Sequence, residues 1–186
     1  MDERAGTLLI RLARQAIETA FTKRELDLAP YRKEKALAGR LGVFVTLTEE
    51  EELRGCIGFI KGEVPLCEGV VHAARAAAFD DPRFPALEPE ELGEVRVEVS
   101  VLTTPKQLKV RTPEEYLEKV RVGRDGLIIR KGFYSGLLLP QVPVEYGWSV
   151  ETFLEHLCLK AGLAPKAWKE KGVEIEAFQA EIFSEK

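Results

Sequence analysis

Apolar residues recur at two spacings along this chain, and segments with each spacing follow one another in the same order twice. Alternation with polar residues predicts a β-strand, whereas recurrence every three or four residues predicts an amphipathic helix. A hairpin, a helix and a further strand are indicated over residues 43–103 and again over residues 126–183. This order predicts an α+β protein with mainly antiparallel sheets, two lobes and a duplicated hairpin–helix–strand unit.

The same patterns place the individual elements. Thr112 and Glu115 have the spacing of a capping box, which predicts that one short helix begins at Thr112. In the last predicted strand the apolar residues change from odd-numbered to even-numbered positions between Ile175 and Phe178. This change predicts a bulge near Ala177. Helices are predicted over residues 9–21, 65–80, 112–117 and 150–161, and strands over residues 43–48, 53–60, 95–101, 126–131, 134–139 and 173–183.

Length and hydropathy limit the classes of protein to which this chain can belong. With 186 residues and 45% apolar side chains it can bury a core of its own. We therefore expect one domain over residues 1–186, with sub-lobes at about 1–103 and 104–186. No apolar run reaches the length of about 18 residues that a membrane span needs. The first residues lack the basic and apolar segments of a signal peptide, so we predict a cytoplasmic protein with no membrane segment.

Cysteine and histidine are scarce. The three cysteines, Cys56, Cys67 and Cys158, form no CxxC pair, so neither a disulfide framework nor a zinc ribbon is indicated. Two histidines, His72 and His156, are too few for most histidine-built metal sites, and we predict no metal site. Neither a dinucleotide-binding nor a P-loop glycine motif is present, so the cofactor stays unknown. Asparagine is absent, a depletion that is typical of thermophilic proteins.

The charge of the chain is uneven. A net charge of −4 argues against binding nucleic acid over the whole surface. Residues 96–131 nevertheless carry nine basic and five acidic side chains, a local charge of +4. This segment is either a solvated face, which we favour, or a nucleic-acid-binding segment. Its basic residues are Arg96, Lys106, Lys109, Arg111, Lys119, Arg121, Arg124, Arg130 and Lys131.

The most unusual segment is LRGCIG at residues 53–58. On a strand Arg54 and Cys56 point to the same face, where a cation lowers the pKa of a thiol and favours the nucleophilic thiolate. The two glycines of the segment leave room for a ligand or another backbone. The alternative, which these residues alone favour, is that Cys56 is a small buried residue and Arg54 pairs with an acid of the Glu49–Glu52 turn.

A stiff loop follows the second predicted helix. Its sequence, DDPRFP at residues 80–85, holds Arg83 between two prolines. The planar guanidinium of Arg83 suits a carboxylate or a phosphate. The loop is equally well interpreted as a helix stop with Phe84 in the core.

Two residues on regular elements are further candidates. Ser100 shares a strand face with Arg96 and Glu98, and this face either lines a polar cleft or meets solvent. His72, on the second predicted helix, is either a general base toward Cys56 or, as we favour, a partly exposed structural histidine.

Polar and aromatic residues are concentrated between the last hairpin and the last long helix. Gln141, Glu145, Tyr146 and Trp148 lie within residues 140–148 and are able to form one wall of a pocket. Stacking by the two aromatic residues suits a flat ligand. The alternative, slightly favoured, is an aromatic plug that covers a sheet edge.

Five motifs occur in a fixed order over nearly the whole chain. Together they resemble the AMMECR-type domain family, named after a human chromosomal region linked to Alport syndrome and elliptocytosis. The resemblance implies an α+β fold with two lobes and a cleft between them, and no settled reaction. It also implies partners, because similar prokaryotic proteins accompany, or are fused to, a Memo-type dioxygenase-like protein and a radical S-adenosylmethionine protein. The motifs are LRGCIG at 53–58, DPRF at 81–84, VSVLT at 99–103, GLI at 126–128, and LPQV at 139–142 with Glu145 and Trp148.

The leading hypothesis is a cytoplasmic enzyme, or a subunit of an enzyme system, that binds a small anionic substrate in the cleft between the lobes. Cys56 is the predicted nucleophile or thiol carrier, and Glu145 is the predicted acid or base. One alternative is a nucleic-acid-binding module that uses residues 96–131. Another is a non-catalytic scaffold for the Memo-type or radical-SAM partners. The predicted substrate-binding residues are Arg54, Arg83, Ser100 and Trp148.

Overall fold

The computed structural model describes residues 1–185. None of the helices within this range is both long and apolar enough to cross a membrane. The helices are α1 (Glu3–Thr22), α2 (Ala29–Arg32), α3 (Leu66–Phe79), α4 (Glu115–Lys119), α5 (Val142–Glu145) and α6 (Val150–Lys160), with short 3-10 turns at Lys35–Leu37, Pro89–Gly93 and Ala167–Lys169. The strands are β1 (Gly42–Glu49), β2 (Glu52–Phe59), β3 (Arg96–Leu102), β4 (Lys106–Gln107), β5 (Gly126–Lys131), β6 (Tyr134–Leu138), β7 (Glu174–Phe178) and β8 (Ala180–Ser184).

These elements form an α+β fold that divides into two units. The first unit is Met1–Leu102 together with the C-terminal segment that starts at Glu181, and the second unit is Thr103–Ala180. The predicted second sub-lobe, at about residues 104–186, includes this C-terminal segment. The segment belongs to the first unit because β8 adds to the sheet of that unit.

The first unit is built on a sheet with the strand order β2-β1-β3-β8. β1 pairs antiparallel with both β2 and β3. Val45 and Leu47 of β1 are fully buried, and Val97 and Val99 of β3 are at most 1% exposed. These residues lie on one face of the sheet because alternate side chains of a strand point to the same side. The other face of the sheet carries the polar alternates.

Helices α1 and α3 pack against the apolar face of this sheet. α1 follows the predicted stripe, with Leu9, Leu12 and Ile17 fully buried. The helix begins where it does because the Asp2 carboxylate accepts a hydrogen bond from the Ala5 N–H at 2.8 Å. One face of the sheet is therefore covered by helices of its own unit, and the other face is the place to look for a site.

The second unit is built on a sheet with the strand order β4-β7-β5-β6, against which α6 packs. β5 pairs antiparallel with β6 and β7. α6 begins where the sequence predicts, since the Ser149 hydroxyl accepts a hydrogen bond from the Thr152 N–H at 3.2 Å. Phe153 and Leu157 of α6 join Trp168 in the core of this unit.

The duplicated hairpin–helix–strand unit is confirmed as a topology. In the first unit the β1–β2 hairpin is followed by α3 and then by β3, which pairs with β1. In the second unit the β5–β6 hairpin is followed by α6 and then by β7, which pairs with β5. In both sheets the first strand of the hairpin thus lies between its hairpin partner and the strand after the helix.

Two local predictions are wrong. The last predicted strand is two strands, because β7 ends at Phe178 and β8 begins at Ala180 in the other sheet. The change from odd-numbered to even-numbered apolar positions therefore occurs where the chain passes from one sheet to the other, and not at a bulge. The capping box does not form either: α4 begins at Glu115, whose carboxylate accepts a hydrogen bond from the Arg111 N–H at 3.2 Å and not from Thr112.

Candidate functional site

Four polar side chains form a row across the face of the first sheet that points away from α1 and α3. Thr46 of β1 stands directly opposite Cys56 on β2 and Glu98 on β3. The Thr46 hydroxyl donates to Cys56 Sγ at 3.3 Å. Ser184 of β8 donates its hydroxyl to the Glu98 carboxylate at 3.0 Å. We name these four residues the polar row, and the face that carries them the outer face.

The backbone of Cys56 is held by the loop that follows α3. β2 lies at the edge of its sheet, so half of its N–H and C=O groups point away from β1. The Cys56 N–H donates to Asp81 Oδ2 at 2.9 Å, and Arg83 Nη2 donates to the Cys56 carbonyl at 3.2 Å. The loop thereby caps a strand edge that would otherwise be open to pairing with another chain. The LRGCIG and DPRF motifs therefore form one structural assembly.

Asp81 is the electrostatic centre of this assembly. Its side chain is 2% exposed and accepts hydrogen bonds from Arg83 Nε at 3.0 Å, Arg83 Nη2 at 2.7 Å and the Arg83 N–H at 3.1 Å. The Arg83 guanidinium, helped by the Cys56 N–H, holds the pKa of Asp81 well below its usual range, although burial acts in the opposite direction. The carboxylate that Arg83 binds is therefore one of its own loop.

Arg54 is committed to a structural ion pair. Its Nε and Nη2 donate to the two carboxylate oxygens of Glu91 at 2.7 and 3.0 Å. Its Nη1 donates to the Pro85 carbonyl at 2.9 Å. The acid that pairs with Arg54 is thus Glu91 and not one of the residues of the 49–52 turn. Arg54 fastens the loop to β2, and its role as a substrate-binding residue stays a prediction.

The Cys56 thiol is half-buried, and its pKa is raised. Burial is the main cause, and the Thr46 hydroxyl and the Arg83 guanidinium oppose it without cancelling it. The thiol is therefore protonated at neutral pH and needs a base before it can act as a nucleophile. Cys67 and Cys158 are fully buried in the two cores, so Cys56 is the cysteine that a reagent can reach.

The candidate base is Glu98. The carboxylates of Asp81 and Glu98 both act on the thiol and raise its pKa. Asp81 is already occupied by hydrogen bonds from Arg83 and from the Cys56 N–H. Glu98 is held by the Ser184 hydroxyl. It stands on the other side of β1 from the thiol, and in the described part of the chain no cation forms an ion pair with it.

Ser100 lies two residues beyond Glu98 on β3, and hence on the same face. It stands opposite Phe44 of β1 and is 1% exposed. Its hydroxyl has no hydrogen-bond partner within residues 1–185. The outer face is thus buried at Ser100 and half-buried at Cys56, and a substrate contact by Ser100 stays a prediction.

The remaining two predicted site residues belong to the second unit. Glu145 is the last residue of α5 and is exposed. The Trp148 ring is stacked on Tyr146, with ring centroids 5.1 Å apart, and on His156, with centroids 3.9 Å apart. The tryptophan thus stacks on two residues of the protein itself, and the stacking of a flat ligand on Trp148 stays a prediction. Tyr146, at one end of these ring contacts, is 68% exposed.

The basic segment 96–131 is divided between the units and partly neutralised. Arg96 lies on β3 in the first unit, and the other eight basic residues lie in the second unit. Four of these eight form ion pairs with carboxylates, which lowers the charge available to a polyanion. Nucleic-acid binding stays a prediction. The four pairs are Lys119–Glu115, Arg124–Asp125, Arg130–Glu176 and Lys131–Glu170.

The polar row offers a thiol, a carboxylate and two hydroxyls, and the loop after α3 adds the guanidinium of Arg83. In the part of the chain that the structure describes, no three His, Cys, Asp or Glu side chains are grouped as the ligands of a metal ion would be. The chemistry that this face supports directly is nucleophilic attack by a thiol with binding of an anion.

Comparison with known proteins supports both the family and the fold. The family model AMMECR1 matches residues 10–183. The chain belongs to the AMMECR1 family. Protein MJ0810 from Methanocaldococcus jannaschii is 50% identical over 182 residues, which cover 97% of this chain and 90% of that protein. Protein MK0488 from Methanopyrus kandleri is 50% identical over 183 residues, which cover 97% of this chain and 88% of that protein.

A relative in the AMMECR1 family has a crystal structure. Protein PH0010 from Pyrococcus horikoshii is 47% identical to this chain and matches it with a TM-score of 0.93, covering 100% of this chain and 94% of the other. The match confirms the predicted α+β fold with two sheets in the described part of the chain. The names of these three relatives state no reaction, so the function of this AMMECR1-family chain has to be inferred from its site.

Four residues of the site, Thr46, Asp81, Glu98 and Ser184, were not predicted as site residues. Thr46 is a polar alternate of β1, and its importance depends on the register that places it between Cys56 and Glu98. Asp81 belongs to the DPRF motif, but the sequence pattern drew attention to Arg83 of the same loop. The LRGCIG and DPRF motifs both contain charged residues. A prediction that the two motifs contact each other would have identified Asp81 as a site residue.

Proposed function

We propose that this AMMECR1-family protein binds a small anionic substrate at the outer face of its first unit, where Cys56 acts as a nucleophile or thiol carrier. The polar row supports this proposal, because it aligns a half-buried thiol with the carboxylate of Glu98. The guanidinium of Arg83 acts on the same thiol. A nucleophile, a base and an anion-binding group are the elements that thiol-dependent catalysis needs.

Arg83 is the proposed anion-binding residue. Its side chain is 53% exposed, while Nε and Nη2 are fixed by Asp81. Nη1 makes no hydrogen bond to any group within residues 1–185. A guanidinium that is already oriented loses little side-chain entropy when it binds a carboxylate or a phosphate.

Glu98 is the proposed base. In the proposed reaction the Cys56 thiol loses its proton to the Glu98 carboxylate by way of water, because β1 separates the two side chains. The thiolate then adds to a carbonyl carbon of the substrate: the S–C bond forms, the π electrons of the carbonyl move to its oxygen, and that oxygen takes a proton from Glu98. Thr46 and Arg83 stabilise the thiolate, since each lowers the pKa of Cys56. No role at this face is assigned to Glu145 or Trp148 of the second unit.

Alkylation with a charged and an uncharged reagent tests the proposal. Iodoacetate carries a carboxylate and iodoacetamide does not, so their relative rates measure the anion preference of the thiol. In the folded protein we expect modification of Cys56 and protection of Cys67 and Cys158, as read by peptide mass spectrometry. We expect Arg83→Gln to lower the ratio of iodoacetate to iodoacetamide rates about two- to fivefold, the effect of losing roughly 0.5–1 kcal/mol of exposed charge attraction.

One control variant and one further site variant make the measurement specific. Arg32 is matched to Arg83, because its side chain is 59% exposed and it pairs with Glu68 at 2.9 Å; Arg32→Gln should leave the ratio unchanged. Glu98→Gln removes an acid from the polar row and should raise the ratio. If Cys56 in the folded protein is no more reactive than Cys67, or if Arg83→Gln keeps the wild-type ratio, the proposed site is wrong.

The predicted partners and location are tested separately. Copurification of the wild type and of Cys56→Ala with the Memo-type and radical-SAM proteins separates docking from thiol chemistry. A scaffold retains both partners and its cellular effect after the substitution, whereas the proposed thiol function is lost with Cys56. The partners and the cytoplasmic location stay predictions until then.

A further inference from the structure

A cavity of about 570 Å³ lies in the first unit where the C-terminal end of α1 meets α3. Three cations line it, Lys23, Arg24 and Arg75, and His72 lines it from α3. The acid among the lining residues is Glu25. The cavity thus concentrates positive charge in a chain whose net charge is −4. It is lined by residues of the helices and of the connector after α1, and it contains no residue of the polar row.

Arg75 is half-buried and fixed, but its charge is uncompensated. Its Nε donates to the Ala16 carbonyl at 3.1 Å, and its Nη2 donates to the Thr19 hydroxyl at 3.4 Å. Among residues 1–185 no carboxylate lies within 4 Å of its guanidinium nitrogens. A partly buried charge is costly unless an opposite charge accompanies it. Two neutral acceptors therefore orient the Arg75 guanidinium, and an anion is the partner that it lacks.

Lys23 and Arg24 extend this positive surface. Both are exposed, and neither has a carboxylate partner in the described part of the chain. Lys23 ends α1 with a φ of 52°, in the left-handed region where glycine is the usual residue. The chain thus keeps a lysine at a position where glycine would be less strained.

A purely structural role for these cations is to complement the negative end of the α1 dipole. That role accounts for positive charge near the last turn of the helix. It does not account for a cavity whose wall is continued by the apolar side chains of Leu26, Leu28 and Val71. A charged head next to an apolar wall is the arrangement that binds a small organic anion.

We propose that this cavity binds the phosphate group of a small phosphorylated molecule. The oriented fork of Arg75 suits two phosphate oxygens, and Lys23 and Arg24 supply further charge. His72 contributes a hydrogen-bond donor from α3. With one acid, Glu25, against three cations, the lining favours a doubly charged group. The apolar wall contacts the organic part of the ligand. This proposal is independent of Cys56.

Two probes test the proposal by titration calorimetry at constant ionic strength: inorganic phosphate, which carries the charge alone, and phenyl phosphate, which adds an apolar ring. We expect both to bind, with phenyl phosphate at least about threefold tighter. Arg75→Gln should weaken binding of both at least about tenfold, as expected for loss of a charge-assisted contact. Lys33→Gln is the matched control, because it removes an exposed cation that does not line the cavity, and it should bind as the wild type does.

Nuclear magnetic resonance of the wild type gives a second readout that needs no substitution. The chain has two histidines, and His156 is stacked on Trp148 in the second unit. Phosphate should move the imidazole signals of His72 and leave those of His156 unchanged. Fixed His72 signals, or equal weakening by Arg75→Gln and Lys33→Gln, would overturn the proposal. Equal affinity for the two probes would overturn the assignment of the apolar wall to the ligand.

Discussion

Replacement of Asp81 by asparagine tests how the loop after α3 is fastened to β2. The side chain is 2% exposed and accepts hydrogen bonds from the Cys56 N–H and from three N–H groups of Arg83. Asparagine keeps the shape and one acceptor oxygen but removes the charge. The substitution therefore separates the electrostatic part of the contact from the packing part.

The expected size of the effect follows from these contacts. A hydrogen bond to a charged group contributes about 1.5–3 kcal/mol, against about 1 kcal/mol for a neutral one. The Arg83 side chain is half-exposed, so water rehydrates its guanidinium when the carboxylate is lost. We therefore expect Asp81→Asn to lower the free energy of unfolding by about 2 kcal/mol. Asp81→Ala also leaves the Cys56 N–H without an acceptor, and we expect a loss of about 3–5 kcal/mol.

The effect should depend on pH in one direction. The pKa of Asp81 is lower in the folded protein than in the unfolded chain, where it is about 3.9. Its contribution to stability is thus complete above about pH 5, begins to be lost as the pH falls past the unfolded value, and is lost entirely only below the still lower folded value. The difference in unfolding free energy between wild type and Asp81→Asn should be about 1 kcal/mol smaller near pH 3 than near neutral pH.

The assay has to report on the first unit. Trp148 and Trp168 both lie in the second unit, so tryptophan fluorescence follows the wrong part of the chain. Guanidinium unfolding followed by far-ultraviolet circular dichroism includes the helices of the first unit. A loss below about 0.5 kcal/mol at neutral pH, or the same loss at both pH values, would refute the reasoning that a buried charged contact fastens the loop.

Three further substitutions test the structural contacts. Gly55→Ala should cost about 2–3 kcal/mol in unfolding free energy, because the added Cβ would lie 2.2 Å from the Ala77 carbonyl oxygen; an unchanged midpoint by circular dichroism would contradict this. Arg54→Met should cost about 3 kcal/mol by the same assay, because it leaves the Glu91 carboxylate without its bidentate partner; wild-type stability would show that the pair is dispensable. Ser149→Ala should cost about 1 kcal/mol through loss of the α6 cap, measured by tryptophan fluorescence, and no loss would mean that other contacts fix the helix start.

The order of helices and strands was predictable because it depends on burial along each segment. Val97 and Val99 alternate with polar residues and are buried as alternation requires, and the Leu9 and Leu12 stripe is the buried side of α1. The transfer of the chain between sheets after β7 was not predictable in the same way. A change from odd-numbered to even-numbered apolar positions occurs both at a bulge and where a strand leaves one sheet for another.

The partners of the charged site residues were not predictable from spacing. Arg54 pairs with an acid 37 positions away, and the Cys56 N–H pairs with an acid 25 positions away. Both pairings depend on which loop reaches the edge of the first sheet. A period of two along β2 gives the position of each side chain but contains no information about that loop. The register of β1 and β2 also leaves Arg54 without a residue opposite it. Thr48 of β1 stands opposite Leu53, and the residue before Thr48 stands opposite Gly55.

The shared topology of the two units gives each sheet a central residue with the same position in its hairpin. Thr46 lies three residues before Glu49, the residue of β1 that pairs with the first residue of β2. In the second unit Ile128 lies three residues before Lys131, which has the same place in the β5–β6 hairpin. Both residues are central in their sheets, and each has a partner on either side.

The partners of Ile128 differ in chemistry from those of Thr46. Ile128 stands opposite Leu137 on β6 and Glu176 on β7. Ile128 thus has the position that Thr46 has in the first unit, and Leu137 has the position of the Cys56 thiol. The carboxylate of Glu176 is neutralised by Arg130 at 3.1 Å. The topology thus aligns three side chains in each unit, but in the second unit they include neither a thiol nor a carboxylate that is free of an ion pair. A reaction that depends on a thiol therefore has to be sought at the outer face of the first unit.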